Sequence, residues 1–325
     1  MNTSVRLLVT GASGFVGSRL VNRLSCSGGS VTAFSRSPGS GSLACPHVFF
    51  DLSDVVDLRE LIHGHDVVIH CAARVHVMND TSADPLTEFR KVNVDGTLNL
   101  ARQSADAGVR RFIFISSIKV NGESSLPGQP FRADDLPAPH DPYGVSKREA
   151  EDGLRALAAE TGMEVVVIRP ALVYGPGVKA NFRSMMRWLN KGIPLPLGSI
   201  HNKRSLVALD NLIDLIVTCI DHPAAANQTF LVSDGEDLST SEMLLRMGEA
   251  LDKPARLLPV PAWILKSVAM LLGRQGVAQR LCGSLQVDIS KTRTMLGWSP
   301  PFSGTAAMRV TAEAFKAEQV LSTVR

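Results

Sequence analysis

Hydrophobic positions along the first half of the chain follow two periods in turn. Residues 5–10 form a short apolar run rich in β formers, and residues 14–26 follow with Val16, Leu20, Val21 and Leu24 at helical spacing. The spacing predicts further strands over 30–35, 47–50, 66–71, 111–116 and 164–169. Helices are expected between them, around 58–62, from Pro85 toward Ala107, and over 143–161. Near-continuous apolar strands interleaved with helices describe an α/β fold built on a doubly wound parallel sheet.

Past Arg169-Pro170 the pattern changes, with Gly175, Pro176, Gly177, Pro194, Pro196 and Gly198 breaking the alternation into loops. A strand–helix pattern returns over 206–221 and a strand over 229–232, both expected back on the main sheet. Residues 238–251 and the tail from 257 are expected in a smaller domain. The division expected is therefore 1–170 with 205–235 for a dinucleotide-binding Rossmann domain, and 171–204 with 236–325 for a substrate domain. No internal repeat or low-complexity tract interrupts it.

Composition excludes more than it selects. A chain of 325 residues with 45% hydrophobic and 20% charged residues suits a large globular unit. A formal charge of +3 is too small for a nucleic-acid binder. Residues 1–50 contain no carboxylate, which either helps attract a phosphate-rich ligand or is a chance imbalance. Cys26, Cys45, Cys71, Cys219 and Cys282 lack metal-like spacing and read as reduced, mostly buried thiols of a cytoplasmic protein. No signal peptide is expected, since Gly11, Gly14 and Gly17 break the early apolar stretch. Residues 263–272 are too short to span a bilayer and carry Lys266 in their middle. A helix packed on the substrate domain is expected there, with peripheral membrane contact as the alternative.

Candidate chemistry lies in two motifs. Gly11-Ala-Ser-Gly14-Phe-Val-Gly17 follows the first strand and opens the first helix. Gly11 permits a tight turn, Gly14 lets backbone approach a pyrophosphate, and Gly17 permits close helix–sheet packing. Ser13, Phe15 and Val16 supply the amides of the helix N-terminus to the phosphates. After the second strand the acid that would hold the ribose of NAD is missing. Ser35-Arg36 stands there and can pair with a 2′-phosphate, favouring NADP(H) with NAD(H) still possible; a solvated surface arginine is the plainer alternative. Asp51-Leu52 could contact the adenine edge. The second motif is Tyr143-Gly-Val-Ser-Lys147, whose phenol and ammonium share one helix face. A nearby ammonium stabilises phenolate and can hold the nicotinamide ribose, and Ser117, at the end of the fifth strand, can bind the reacting oxygen.

The chain resembles the extended short-chain dehydrogenase/reductases of the NAD-dependent epimerase/dehydratase family over essentially its whole length. The matching stretches are 10–17, His70-Cys-Ala-Ala73, Val92-Asn-Val-Asp-Gly-Thr97, 116–122, 143–147, 169–177 and 204–212. The resemblance implies a nucleotide-sugar substrate, Ser117, Tyr143 and Lys147 as catalytic residues, and Ala72, Ala73, Asn93 and Pro170 near the cofactor. It also implies Arg204 at the substrate diphosphate and a homodimer formed through the long helices near 85–107 and 143–161. Arg74, His76, Lys119, Asn181 and Arg280 are further substrate-facing candidates, with a packed histidine and surface cations as the alternatives.

Departures from the family pattern narrow the expected reaction. Dehydratases carry an Asp-Glu pair where this chain has Ile118 and Lys119, so elimination lacks its acid and base. Hexose 4-epimerases often have an asparagine in place of Leu172 and a carboxylate after the second strand. Residues 73–78 and 116–123 resemble a bacterial subgroup of 4-reductases that serve surface polysaccharide (O-antigen) synthesis. NADPH-dependent reduction of a UDP-2-acetamido-4-keto-2,6-dideoxyhexose is therefore the expected activity. UDP-hexose 4-epimerisation with bound NAD is the alternative, and a non-catalytic NADP(H) sensor the alternative of another class.

Overall fold

The computed structural model describes residues 5–36, 45–54, 56–75, 84–126 and 128–323. The main sheet contains β1 (Arg6–Thr10), β2 (Ser30–Ser35), β3 (His47–Phe49), β4 (Val67–His70), β5 (Arg111–Ile115) and β6 (Glu164–Pro170). A later strand from Thr229 to Val232 completes it at the β6 edge, and every pairing is parallel. The order β3-β2-β1-β4-β5-β6 reverses direction between β1 and β4, which opens a crevice at the carboxyl ends of those strands. Both faces are covered, so β4 and β5 are buried along their whole length and read in sequence without alternation.

One face packs on α1 (Phe15–Cys26) through Leu20, Val21 and Leu24. The other packs on α2 (Arg59–Ile62), α4 (Thr97–Asp106) and α5 (Pro142–Thr161), with α3 (Pro85–Arg90) lying against α5. Asp84 and Asp141 cap α3 and α5 with their side chains, each followed by a proline at the first helical position, where the missing N–H costs nothing. The long helix expected from Pro85 toward Ala107 does form, but it widens into a π-type turn over Lys91–Gly96.

The smaller lobe has its own core. It is built on β7 (Leu172–Tyr174), β8 (Arg204–Ala208) and α6 (Ala180–Asn190), and the helix after β8 is α7 (Leu209–Asp221). Beyond the strand β9 (Thr229–Val232) come β10 (Asp237–Leu238), α8 (Thr240–Ala250), α9 (Ala262–Leu271), α10 (Gln275–Cys282), α11 (Ser290–Leu296) and α12 (Gly304–Thr323). The expectation that residues 206–208 return to the main sheet is corrected here. β8 pairs with β7 and β10 in a separate three-stranded sheet, while α7 covers the main sheet and only β9 joins it. A second correction concerns the cysteines, of which only Cys219 is buried and Cys26 is exposed. Helix α9 packs on the smaller lobe through Ala262 and Leu265, and none of its residues is fully buried.

Candidate active site

The glycine motif forms a close-packed elbow. Gly11 has φ +66°, and a Cβ on it would lie 2.6 Å from the Ala72 nitrogen. A Cβ on Gly17 would lie 2.2 Å from the Gly11 carbonyl oxygen, so α1 can approach β1 this closely only with glycine there. Gly17→Ala is expected to destabilise the fold by about 1–3 kcal/mol through overpacking and to weaken cofactor binding. Thermal melts and a fluorescence titration measure both; an unchanged melt contradicts the close approach. Gly14 caps α1 without a side chain, leaving the first-turn amides of Phe15 and Val16 at the crevice.

A cleft of about 370 Å³ lies at the β1/β4 switch point, lined by Gly11, Ser13, Gly14, Ser35, Arg36, Asp51, Leu52, Ala72, Ala73 and Arg74. A glycine cradle, a helix N-terminus and Ser35-Arg36 fit the phosphates and ribose of a nicotinamide dinucleotide. Ser35 Oγ lies 2.7 Å from His47 Nε2, and the exposed Arg36 lies 3.9 Å from Asp51. The backbone and hydroxyl of Ser53 hold the Asp51 carboxyl below its usual range, with Arg36 helping, so Asp51 stays ionised beside the arginine.

The π-type turn explains Asn93. Its Oδ1 accepts from the Arg74 amide at 2.8 Å, and its Nδ2 donates to the Arg74 carbonyl and to Ser146 Oγ, both at 3.0 Å. The widened helix thus pins the loop after β4 to α5, as the family resemblance implied. His70, missed in the sequence reading, lies 2.6 Å from Thr10 Oγ1 through Nδ1 and 3.0 Å from Thr97 Oγ1 through Nε2. Burial, with the Lys147 charge adding to it, pushes His70 down to about 3, so it stays neutral and orients these hydroxyls.

Ser117 and Tyr143 are brought together, close enough for the Ser117 hydroxyl to act on the phenol. Burial pushes the Tyr143 phenol above its ordinary value and the Asp141 charge pushes further, while Ser117 opposes both. At neutral pH Tyr143 therefore carries its proton. Lys147 Nζ donates to the Ile115 carbonyl at 2.9 Å and lies 4.3 Å from the Phe114 ring centre. Burial pushes Lys147 itself down to about 7, with Cys71 and Glu151 opposing. One turn further along α5, Glu151 is fully buried and bonded to Ser116 and Arg169, which anchors the catalytic helix to the ends of β5 and β6.

Of the substrate candidates, Asn181, Arg204 and Arg280 line one cavity of about 250 Å³ in the smaller lobe, beside Leu172 and Trp188. Arg204 Nη1 donates to the carbonyls of Arg280 and Gly283, and burial lowers its pKa from the ordinary arginine value. Arg74 sits over Phe89 and 3.9 Å from Glu88 at the rim of the dinucleotide cleft, and Pro170 ends β6 opposite Val232. Lys119 is paired with Asp141 and Glu123. His76 lies outside the described residues. Asp141 itself, which caps α5 and charges the surroundings of Tyr143, was readable as an Asp-Pro helix start but was not singled out.

Comparison with known proteins agrees with this geometry. The family described as NAD dependent epimerase/dehydratase matches residues 7–233. A UDP-glucose 4-epimerase of Vibrio cholerae is 53% identical over 319 residues, covering 95% of each chain. The solved UDP-glucose 4-epimerase of Thermotoga maritima, bound to UDP-glucose, shares the fold with a TM-score of 0.79 at 24% identity, covering 97% of this chain and 100% of that one. MoeE5 in complex with UDP-glucose and NAD superposes with a TM-score of 0.77 at 26% identity, covering 97% and 99%. Fold, cleft and motif order converge with these matches, and the chain belongs to the NAD-dependent epimerase/dehydratase family.

Proposed function

We propose that this enzyme moves a hydride at C4 of a UDP-activated hexose or N-acetylhexosamine, and that its overall reaction is 4-epimerisation. The observation that carries the reading is the Ser117–Tyr143 pair at the carboxyl end of β5 beside a dinucleotide cleft, in a chain 53% identical to a UDP-glucose 4-epimerase. This places the alternative drawn from the sequence ahead of the dedicated reductase. Bound in the cleft, the nicotinamide cofactor would supply the hydride acceptor and donor. Tyr143 Oη exchanges a proton with the sugar O4, and Ser117 Oγ hydrogen-bonds that oxygen and fixes its direction. Arg204, Asn181 and Arg280 hold the diphosphate, and that remote binding serves alignment at C4. Ile118 and Lys119 offer no carboxylate, so water elimination lacks its catalyst. Incubation with UDP-glucose or UDP-N-acetylglucosamine, without added cofactor, should give the galacto isomer by NMR and release NAD on acid denaturation. Protein that leaves C4 unchanged in both sugars rejects epimerisation.

Arg36 favours a second reading, net reduction of a UDP-4-keto sugar with exchangeable NADPH. It ends β2 where an acid would select NAD, and its side chain is exposed at the cleft. On this reading Arg36→Ala weakens NADPH binding about ten-fold while leaving NADH unaffected. Equal affinities before and after the substitution remove Arg36 from cofactor selection.

A further inference from the structure

Helix α9 packs on the smaller lobe along a partly buried edge at Ala262 and Leu265. Trp263 is 69% exposed and Leu271 87% exposed, and Val268, Met270 and Leu272 are exposed with them. Val277 on α10, which packs against α9, extends this surface across the hairpin. Apolar exposure concentrated on one short hairpin marks an interaction surface rather than a solvated face.

The charges around it say what kind of surface it fits. Residues 253–287 contain five cations and no Asp or Glu, although the whole chain has 34 basic and 31 acidic residues. Lys266 and Arg274 are exposed within and beside the apolar face. From this juxtaposition we propose that the α9–α10 hairpin docks on an anionic membrane surface. Its apolar side chains enter the headgroup boundary and its cations meet lipid phosphates. Trp263 suits that boundary, having an apolar ring and a polar N–H. No helix among the described residues is long and apolar enough to cross a membrane, which fits a hairpin lying in the interface plane. A second copy of this surface is a poorer occupant, because pairing it with itself sets cations against cations. The proposal goes beyond the C4 chemistry and does not depend on it.

The test is co-sedimentation of the full chain with phosphatidylglycerol-containing vesicles and with pure phosphatidylcholine vesicles, at low and high salt. Binding to the anionic vesicles is expected, weakened by salt. It should fall about ten-fold in Leu271→Glu/Leu272→Glu and about five-fold for each cation removed in Lys266→Gln/Arg274→Gln, with melting temperature unchanged. A blue shift of tryptophan emission on anionic vesicles, absent in Trp263→Phe, is the companion readout should the glutamate variant not fold. No sedimentation with anionic vesicles, or sedimentation that the glutamates leave intact, overturns the proposal. A wild-type dimer that these variants convert to monomer also overturns it, reassigning the face to a second copy.

Discussion

Tyr143→Phe is expected to lower turnover about 10²–10⁴-fold while cofactor binding stays close to that of the wild type. The substitution removes one oxygen from a buried position and leaves the ring against Phe89, whose centroid lies 6.0 Å away. What disappears is the phenol oxygen that takes the O4 proton as the hydride leaves C4 and gives it back as the hydride returns. Ser117 keeps its hydroxyl and can still bind the reacting oxygen, which sets the residual rate. Single-turnover kinetics with a UDP-sugar, alongside a cofactor titration, separates chemistry from binding. A variant that retains wild-type turnover would remove Tyr143 from the proton-donor role.

Glu151→Ala should cost about 3–5 kcal/mol of stability. Glu151 accepts bonds from Ser116 at 2.6 Å and from Arg169 at 2.5 and 2.9 Å, and the Arg169 side chain is only 2% exposed. Burial alone would push this carboxyl up, but Arg169, with Ser116 and Arg155, outweighs it and holds the pKa below the ordinary value. Without Glu151 the Arg169 guanidinium keeps Asn121 and the Ala133 carbonyl but loses its counter-charge. Replacing both members by methionine should recover part of the loss, since two apolar groups need no partners. Urea unfolding of the wild type and the two variants measures it. A single variant as stable as the double one would mean that Arg169 finds another partner.

These two residues also mark what the sequence could carry. Tyr143, Lys147 and Glu151 recur at four-residue spacing along one face of α5, so the Tyr143–Lys147 pair was legible from a local pattern. The glycine elbow was legible for the same reason, because turn chemistry and helix opening are set by adjacent residues. Glu151 went unread because its meaning depends on Arg169 from another strand. β8 misled for a similar reason. Its apolar run fits either sheet, and the choice is made by β7 and β10, distant segments that pair along its two edges. Lys119 found Asp141 across the catalytic loop, a pairing no spacing announces.

The most direct test of C4 hydride transfer is to follow deuterium placed at C4 of UDP-galactose through the reaction, by NMR of the product. UDP-glucose with deuterium retained at C4 is the result predicted, since the hydride leaves and returns within one active site. Inversion with deuterium lost to water, or no inversion of either UDP-hexose or UDP-N-acetylhexosamine, would contradict it.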